Sequence, residues 1–196
     1  LTALMTVKMM NGGDGSTYAF LDYAADCAIR LDHRVEGQIS TRRLRVLKYR
    51  GSGFSRNEHP YVIGSDGIWL LPVATVSLEN GGLGDWVSSG NAEFDRILGG
   101  GYRRGSSVLI SGSSGSGKTT LACTFVRAAA ERGEKTFYVN FEESEQAMLS
   151  AMLSPGLDLR SAVDAGLLRV MSRMPEAAGA EEHLAFALRS MEEYAP

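Results

Sequence analysis

Cysteine and histidine are scarce in this sequence, which limits the kinds of site that it can build. Two cysteines, Cys27 and Cys123, occur among 196 residues, so a disulfide framework is excluded and a reducing cytoplasm is the expected location. The three histidines, His33, His59 and His183, have no metal-ligand spacing among themselves or with the cysteines. The sequence therefore predicts neither a disulfide-stapled secreted fold nor a structural metal site.

Long apolar runs and a strong net charge are also missing. No apolar run approaches the length that crosses a membrane, and the N-terminus lacks the layout of a signal peptide. The net charge of −3 argues against a surface devoted to nucleic acid, although the first part of the chain is mildly basic and the second part acidic. Hydrophobic residues make up 44% and charged residues 22%, as in ordinary globular proteins. We therefore expect no membrane partner and no nucleic-acid partner.

The clearest positive signal is a phosphate-binding loop. Residues 112–119 read Gly-Ser-Ser-Gly-Ser-Gly-Lys-Thr, which matches the pattern G-x-x-x-x-G-K-[ST] at every fixed position. The apolar residues 108–110 predict a strand that leads into the loop, and residues 120–132 predict a helix that leads out, with Gly133 at its C-terminal cap. Such a unit points main-chain N–H groups and the positive end of a helix dipole at one spot. The alternative, a serine-rich linker that matches by accident, does not explain these flanks.

Two residues of the loop, Lys118 and Thr119, have specific expected roles. Lys118 is expected to reach the β- and γ-phosphates of a nucleotide, and the Thr119 hydroxyl is expected to hold a magnesium ion that bridges them. The predicted nucleotide-binding residues are Gly112, Ser113, Ser114, Gly115, Ser116, Gly117, Lys118, Thr119 and Thr120.

Two neighbouring acids are the candidates for catalysis. Glu142 and Glu143 follow a predicted strand at residues 136–141, and ligands of open α/β sheets bind at the carboxyl ends of strands. A carboxylate there can orient the water that attacks a γ-phosphate. Side chains alternate along a strand, so at most one of the two is expected to point squarely at the phosphate. The alternative is a pair of solvated acids that opens a loop, and the nearby phosphate loop favours catalysis.

Two basic residues form a second constellation. Lys48 and Arg50 lie two positions apart on a predicted strand at residues 44–49, so they project from the same face. On these residues alone, a solvated basic edge strand is the favoured interpretation. The functional interpretation is a pair of cations that completes a nucleotide site on a neighbouring subunit.

The chain divides into two halves around a glycine-rich linker at residues 79–85. Residues 1–78 are predicted to be strand-rich, whereas strands and helices alternate from residue 86 onward, which is typical of parallel strands joined by crossover helices. The predicted fold class is α/β, a mainly parallel sheet flanked by helices with an antiparallel hairpin edge. Strands are predicted within residues 1–10 and 24–35 and at 44–49, 61–63, 68–71, 108–110, 136–141 and 167–171, with a hairpin turn at Asp66 and Gly67. Helices are predicted at residues 94–98, 120–132, 144–153 with Ser144 as N-cap, and 180–194 with Leu184, Leu188 and Met191 on one apolar stripe.

With these residues in view, nearly the whole chain resembles the KaiC family, the RecA-like ATPases and autokinases of the bacterial circadian clock. Residues 94–101, followed by the phosphate loop, are similar to the start of RecA-like domains in general. Residues 141–144 and 175–184 resemble KaiC in particular. In the first half, residues 47–51 resemble the KaiC motif whose lysine and arginine reach the γ-phosphate bound by the adjacent subunit, and residues 61–72 resemble a closing hairpin.

The resemblance implies a RecA-like P-loop NTPase fold with ATP and magnesium as cofactors. It implies that Lys118 and Thr119 bind ATP and magnesium, and that Glu142 and Glu143 are the catalytic carboxylates. It also implies assembly into a hexamer with nucleotide between subunits, and partner proteins of the clock.

The resemblance further implies a domain assignment. KaiC proteins carry two tandem RecA-like domains, so residues 1–78 correspond to the C-terminal half of the first and residues 86–196 to the N-terminal half of the second, which carries the Walker A loop. Lys48 and Arg50 are then trans-acting sensors of a neighbouring subunit's nucleotide. Because they belong to the first domain, they are not expected to complete the site at residues 112–119.

Two features of the family fall outside this chain. The Walker B strand and the Ser/Thr pair that the family autophosphorylates are expected after Pro196, so we expect a piece of a longer protein that turns ATP over poorly by itself. In the intact protein, ATP hydrolysis and Ser/Thr autokinase activity are expected. Two alternatives remain open: a DNA-dependent ATPase of the RadA/RecA type, and a nucleotide-gated hexamer assembly module. The acidic second half and residues 175–184 favour KaiC over the recombinase.

Overall fold

The computed structural model describes residues 3–8, 23–36, 39–65, 67–71 and 82–195. The chain forms two compact units. The first comprises Leu1–Arg34 and Thr41–Leu70, and the second comprises Val35–Ser40 and Leu71–Pro196.

A four-stranded sheet dominates the first half of the chain. Its strands are β1 (Cys27–Glu36), β2 (Ile39–Tyr49), β3 (Glu58–Gly64) and β4 (Gly67–Leu70), in the order β1-β2-β3-β4. β3 pairs antiparallel with both β2 and β4, and the pairing of Gly64 with Gly67 closes a tight hairpin. These four strands confirm the strands predicted within residues 24–35 and at 44–49, 61–63 and 68–71, although β2 begins five residues earlier than predicted.

The strand predicted within residues 1–10 is wrong for the part that can be tested. Residues 3–8 carry no helix or strand, and the side chains of Leu4 and Met5 are 93% and 66% exposed. An apolar run forms a strand when it finds a ladder partner, and none of the described strands pairs with this one. Residues 1–2 and 9–10, Asp66 of the predicted turn, and residues 79–81 of the predicted linker lie outside the described residues.

The second half begins with two short strands and a helix that the sequence pattern predicts only in part. β5 (Trp86–Val87) pairs antiparallel with β6 (Tyr102–Arg103), and α1 (Ala92–Leu98) lies between them. α1 confirms the helix predicted at residues 94–98. It begins at Asn91, whose side chain accepts the Phe94 N–H, and ends at Gly99, which has a left-handed φ of 77°. The two-residue strands are not predicted.

A hydrogen-bond network on Asp95 fixes this opening segment. The carboxylate accepts the Ser88 hydroxyl at 2.6 Å and the Ser89 N–H at 2.8 Å, and these bonds hold the pKa of Asp95 below its ordinary value. Two glycines permit the close packing around it. A Cβ on Gly101 would lie 2.3 Å from the Val87 carbonyl oxygen, and one on Gly90 would lie 2.6 Å from the Thr124 carbonyl oxygen. The segment therefore packs closely against the helix that contains Thr124.

The strand predicted at residues 108–110 is wrong: these residues carry no regular structure. Val108 is 52% exposed and Leu109 is 91% exposed, and no described strand pairs with them. The apolar run has the propensity of a strand but lacks a ladder to join. A cavity of about 510 Å³ lies beside this segment, with Val108, Ile110 and Phe125 among its apolar walls.

The core of the second unit is built around a parallel pair of strands. The helix α2 (Lys118–Glu131) leads to β7 (Thr136–Asn140), then α3 (Glu145–Ala151) and α4 (Arg160–Asp164) lead to β8 (Leu168–Ser172). β7 and β8 pair in parallel register from Thr136 opposite Leu168 to Asn140 opposite Ser172. α2, β7, α3 and β8 confirm the helices and strands predicted there, as does Gly133 just after α2, where φ is +75°, whereas α4 is not predicted. The buried core residues are Cys123, Val126, Met148, Met152, Leu157, Leu159, Ala162 and Leu168.

The last helix, α5 (Ala180–Tyr194), has the predicted bounds but not the expected buried face. Leu184, Leu188 and Met191 are 54%, 37% and 42% exposed, whereas His183 and Ala185 are buried. The adjacent stripe packs instead: the His183 ring meets the Phe141 ring edge to face with centroids 5.2 Å apart. The apolar periodicity thus identifies the helix but selects the wrong face.

Candidate nucleotide site

The phosphate loop is an open turn that ends at the N-terminus of a long helix. Gly115 and Gly117 have φ values of +75° and +90°, a region that glycine adopts without strain. Gly117 is the N-cap residue of α2, and its carbonyl oxygen accepts the Leu121 N–H at 2.9 Å. Residues 111–117 are all exposed. The loop therefore has the local conformation that its glycines predict, and its mouth faces solvent.

The N-terminus of α2 suits an anion. The described first turn of this helix has no acidic residue and no side-chain cap, so its free N–H groups and the positive end of the dipole stand uncompensated by protein. Thr119 and Thr120 lie in that turn and are half-buried. A phosphate group placed there would accept hydrogen bonds from the main chain.

The Lys118 side chain folds back over its own loop. Its ammonium group donates to the carbonyl oxygens of Gly112 and Ser113, both at 2.9 Å. A Cβ on Gly112 would lie 2.5 Å from the Ser116 Oγ, so the first glycine permits a close approach within the loop. The ammonium group thus lies at the loop without any acidic partner among its described contacts. It is available to a phosphate that replaces the two carbonyl oxygens.

The two acids occupy the turn between β7 and α3. β7 ends at Asn140, and the Ser144 hydroxyl begins α3 by accepting the Ala147 N–H at 3.2 Å, as predicted. Glu142 is exposed, whereas Glu143 is half-buried. The two carboxylates therefore differ in environment.

The charge of Glu143 acts on two groups in the core of the second unit. Burial raises the pKa of the Cys123 thiol to about 11, and the Glu143 charge adds to that rise. Burial likewise raises the pKa of Tyr138, with further contributions from Cys123, Glu143 and Glu142. Cys123 belongs to α2, and Tyr138 of β7 packs against the same core. The charges of both acids therefore act on this core, and that of Glu143 acts on α2 as well.

Asn140 is not among the predicted site residues, although an asparagine just before a turn is a recognisable signal. It is 8% exposed, and its Oδ1 accepts the Glu142 N–H at 3.0 Å. Its main-chain oxygen accepts the Arg173 N–H at 2.9 Å. This buried side chain therefore touches the turn that carries the acids.

The two basic candidates lie at the end of β2, in the other compact unit. The Lys48 ammonium donates to the Tyr23 carbonyl oxygen at 3.3 Å. The Arg50 guanidinium pairs with the Asp26 carboxylate at 3.6 Å, and the Arg50 N–H donates to the Asp26 carbonyl oxygen at 2.8 Å. Both partners of the ion pair are largely exposed, so this pair contributes little to stability.

The chemistry of the loop fits a magnesium nucleotide. In the part of the chain that is described, no group of three or more His, Cys, Asp or Glu side chains could hold a metal ion. The Thr119 hydroxyl, in the first turn of α2, is an oxygen donor of the kind that Mg²⁺ prefers. The apolar cavity beside residues 108–110 includes no loop residue among its described walls and does not form this site.

No helix in the described ranges is sufficiently long and apolar to span a membrane.

Comparison with known proteins identifies related sequences along the whole chain. A family model described as "ATPase: KaiC" matches residues 1–74 and 87–195. The chain is 41% identical over 155 residues to "Circadian clock protein KaiC2" of Synechocystis sp. (strain ATCC 27184 / PCC 6803 / Kazusa), covering 79% of this chain and 27% of that protein. It is 30% identical over 195 residues to "Circadian clock oscillator protein KaiC" of Acaryochloris marina (strain MBIC 11017), covering 100% of this chain and 37% of that protein. The chain thus spans well under half the length of these relatives. The matches confirm the predicted RecA-like P-loop fold class.

Proposed function

Because the chain belongs to the KaiC family of ATPases, we propose that residues 112–120 bind ATP with Mg²⁺ and that the full-length protein hydrolyses the bound ATP. One observation carries the proposal. The Lys118 ammonium and the uncompensated N-terminus of α2 lie at the same exposed loop, with no acidic residue in the described first turn of the helix. A polyphosphate supplies the negative charge that this loop lacks.

Binding is assigned to the loop and the first turn of α2. Main-chain N–H groups of residues 113–120 would surround the β- and γ-phosphates, and the Lys118 ammonium would exchange the Gly112 and Ser113 carbonyl oxygens for phosphate oxygens. The Thr119 hydroxyl would ligate Mg²⁺, which neutralises charge on the phosphates when bound. These contacts would position the terminal phosphate at the N-terminal end of α2.

Hydrolysis is assigned to the acid pair. Glu143 is half-buried, so we assign its carboxylate the role of orienting an attacking water and taking its proton. Glu142 is exposed and would act as a second acid at the edge of the site. This assignment gives the two neighbouring residues unequal roles.

The remaining properties concern the full-length protein. We propose that residues 1–78 end one RecA-like domain and residues 86–196 begin a second, joined by the linker at 79–85. Lys48 and Arg50 would then sense the nucleotide of a neighbouring subunit in a hexamer. Ser/Thr autokinase activity, binding of clock partner proteins and a cytoplasmic location complete the proposal. The clock names of the relatives support this assignment.

Titration calorimetry with MgATP tests the site. In Lys118→Ala, we expect affinity to fall about 100-fold, because each charged hydrogen bond contributes about 1.5–3 kcal/mol. Lys135→Ala, in the same unit but outside the loop, is the matched control and should bind as the wild type does. A full-length protein with two phosphate loops would titrate two sites, and K118A should then remove one. Unchanged affinity and stoichiometry in K118A would contradict the assignment.

Two further measurements separate the alternatives. Stimulation of ATP hydrolysis by single-stranded DNA, weakening steeply with salt, would instead indicate a recombinase. Comparing the oligomer mass with ATP and with a non-hydrolysable analogue tests the assembly module, because assembly that needs binding alone would respond equally to both.

A further inference from the structure

Asn140, at the carboxyl end of β7, hydrogen-bonds to two segments: the turn after β7 and the residue just after β8. Its Oδ1 accepts the Glu142 N–H at 3.0 Å, and its main-chain oxygen accepts the N–H of Arg173, just beyond β8, at 2.9 Å. The residue is buried, with 8% of its surface exposed. Asn140 opposite Ser172 is the last pair of the parallel ladder. Asn140 therefore lies where the sheet ends and the turn begins.

The hydrogen bond to Glu142 closes an Asx-turn, in which a side-chain oxygen substitutes for a main-chain acceptor. Residues 141–143 are consequently held between two side-chain hydrogen bonds. Asn140 fixes the start of the turn, and the Ser144 hydroxyl fixes its end by accepting the Ala147 N–H. These two hydrogen bonds restrict the main chain of the turn that carries Glu142 and Glu143.

The other half of the amide has no hydrogen-bond partner in the part of the chain that the structure describes. The Asn140 Nδ2 is buried without a hydrogen bond among the described residues, and so is the Oγ of Ser172 on the opposite strand. Residues two apart on a strand share a face, so Asn140 lies on the same side as Tyr138, which packs against the core that contains Cys123 of α2. An apolar residue would pack at this position without leaving a polar group unsatisfied. Packing alone therefore does not explain the asparagine.

We propose that Asn140 is a positioning residue for ATP hydrolysis, because it holds the turn that carries Glu142 and Glu143. The proposal rests on the proposed function of the loop and the acid pair. Asn140 acts through its hydrogen bond to the Glu142 main chain. Its neutral amide supplies the acceptor without adding a third negative charge beside Glu142 and Glu143.

The test compares three variants of the full-length protein. Asn140→Ala removes the acceptor, Asn140→Asp keeps an oxygen in the same place, and Ser172→Ala removes the other unpartnered group of the same register pair. The quantity measured is the part of the ATP hydrolysis rate that K118A abolishes, which isolates this site. We expect N140A to lower kcat by about 10- to 100-fold with KM changed less than about twofold, because a misplaced group loses rate rather than binding.

The controls are expected to behave differently. N140D should recover kcat to within about fivefold of the wild type, because the turn is kept, and S172A should match the wild type. Hydrogen exchange of the Glu142 amide gives a readout that does not depend on activity: it should accelerate in N140A and stay protected in N140D. If N140A does not fold, Asn140→Gln replaces it, because its longer side chain keeps the amide but moves the oxygen away from the Glu142 N–H.

Three results would overturn the proposal: N140A no slower than S172A, N140D as slow as N140A, or kcat and KM changing together in proportion to lost stability. Failure of the proposed function looks different. In that case K118A leaves hydrolysis or MgATP binding unchanged, whatever the substitutions at Asn140 do.

Discussion

The phosphate loop and the turn that carries the acid pair are held in place by different means. The loop is exposed and is held by its own atoms, with the Lys118 ammonium bound to two carbonyl oxygens of the same loop. The acid turn is held by a buried Asn140 at one end and by the Ser144 cap at the other. The hydrogen bonds that hold the phosphate loop lie within one short motif. Those that hold the acid turn involve β7 and the N-terminus of α3. The loop is thus supported from within, and the acid turn by the elements around it.

The largest effect should come from comparing a glycine of the packed framework with a glycine of the loop. A Cβ on Gly101 would overlap the Val87 carbonyl oxygen at a φ of +107°, so Gly101→Ala should lower the free energy of unfolding by about 3 kcal/mol or more. A Cβ on Gly115 meets nothing within 4 Å, so Gly115→Ala should cost about 1 kcal/mol for its positive φ alone. Urea unfolding measures both. Equal losses would show that the loop is as tightly packed as the framework.

The next effect separates the two acids. In the full-length protein, Glu143→Gln should lower the K118A-sensitive kcat by about 100-fold, because it removes the half-buried carboxylate proposed to take the proton of the attacking water. Glu142→Gln should lower it by less than about tenfold, and both variants should bind MgATP as the wild type does. Single-turnover hydrolysis and calorimetry measure the two properties. A larger loss in E142Q than in E143Q would reverse the assignment.

The smallest effect concerns the framework and its dependence on pH. Hydrogen bonds from the Ser88 hydroxyl and from Ser89 hold the pKa of Asp95 below its ordinary value. The folded state therefore binds this proton less readily than the unfolded state, so Asp95 adds stability above the ordinary pKa of Asp, and that stability is lost as the pH falls through the lowered folded value. Asp95→Asn should cost about 1 kcal/mol at neutral pH.

The control for this prediction is the free energy of unfolding of the D95N variant measured at acidic pH. The difference between the unfolding free energies of the wild type and D95N should shrink as the pH falls through the acidic range. Ser88→Ala, which removes the largest cause of the lowered pKa, should reproduce part of the effect. A difference that stays constant with pH would mean that the Asp95 charge does not stabilise the fold.

Local signals account for the parts of this chain that were predictable from its sequence. The helix after the phosphate loop, the Ser144 cap and the bounds of α5 follow from motifs or periodicities within one segment. The same holds for the hairpin of β3 and β4, where a short turn connects two apolar runs. Such features need no knowledge of distant residues.

Features that depend on distant partners were not predictable. Residues 108–110 and 3–8 are apolar but have no described strand to pair with, whereas the two-residue strands β5 and β6 exist because Trp86 meets Arg103 across 17 positions of sequence. The buried face of α5 is selected by Phe141, just after β7, and Arg173, just after β8, which contact the His183 and Phe186 rings of the helix. The Asn140 hydrogen bond is local, but its burial comes from the surrounding elements.

The folded-back position of Lys118 has a consequence for which ligands the loop accepts. The Gly112 and Ser113 carbonyl oxygens accept from two of the three N–H donors of the ammonium group, which leaves one for an anion. Under the proposed function, a nucleoside triphosphate would reach this donor and the N–H groups of the first turn of α2 together, whereas a single orthophosphate would cover less of that turn. The proposed site would therefore favour linked phosphates before any contact with a base or a ribose is made.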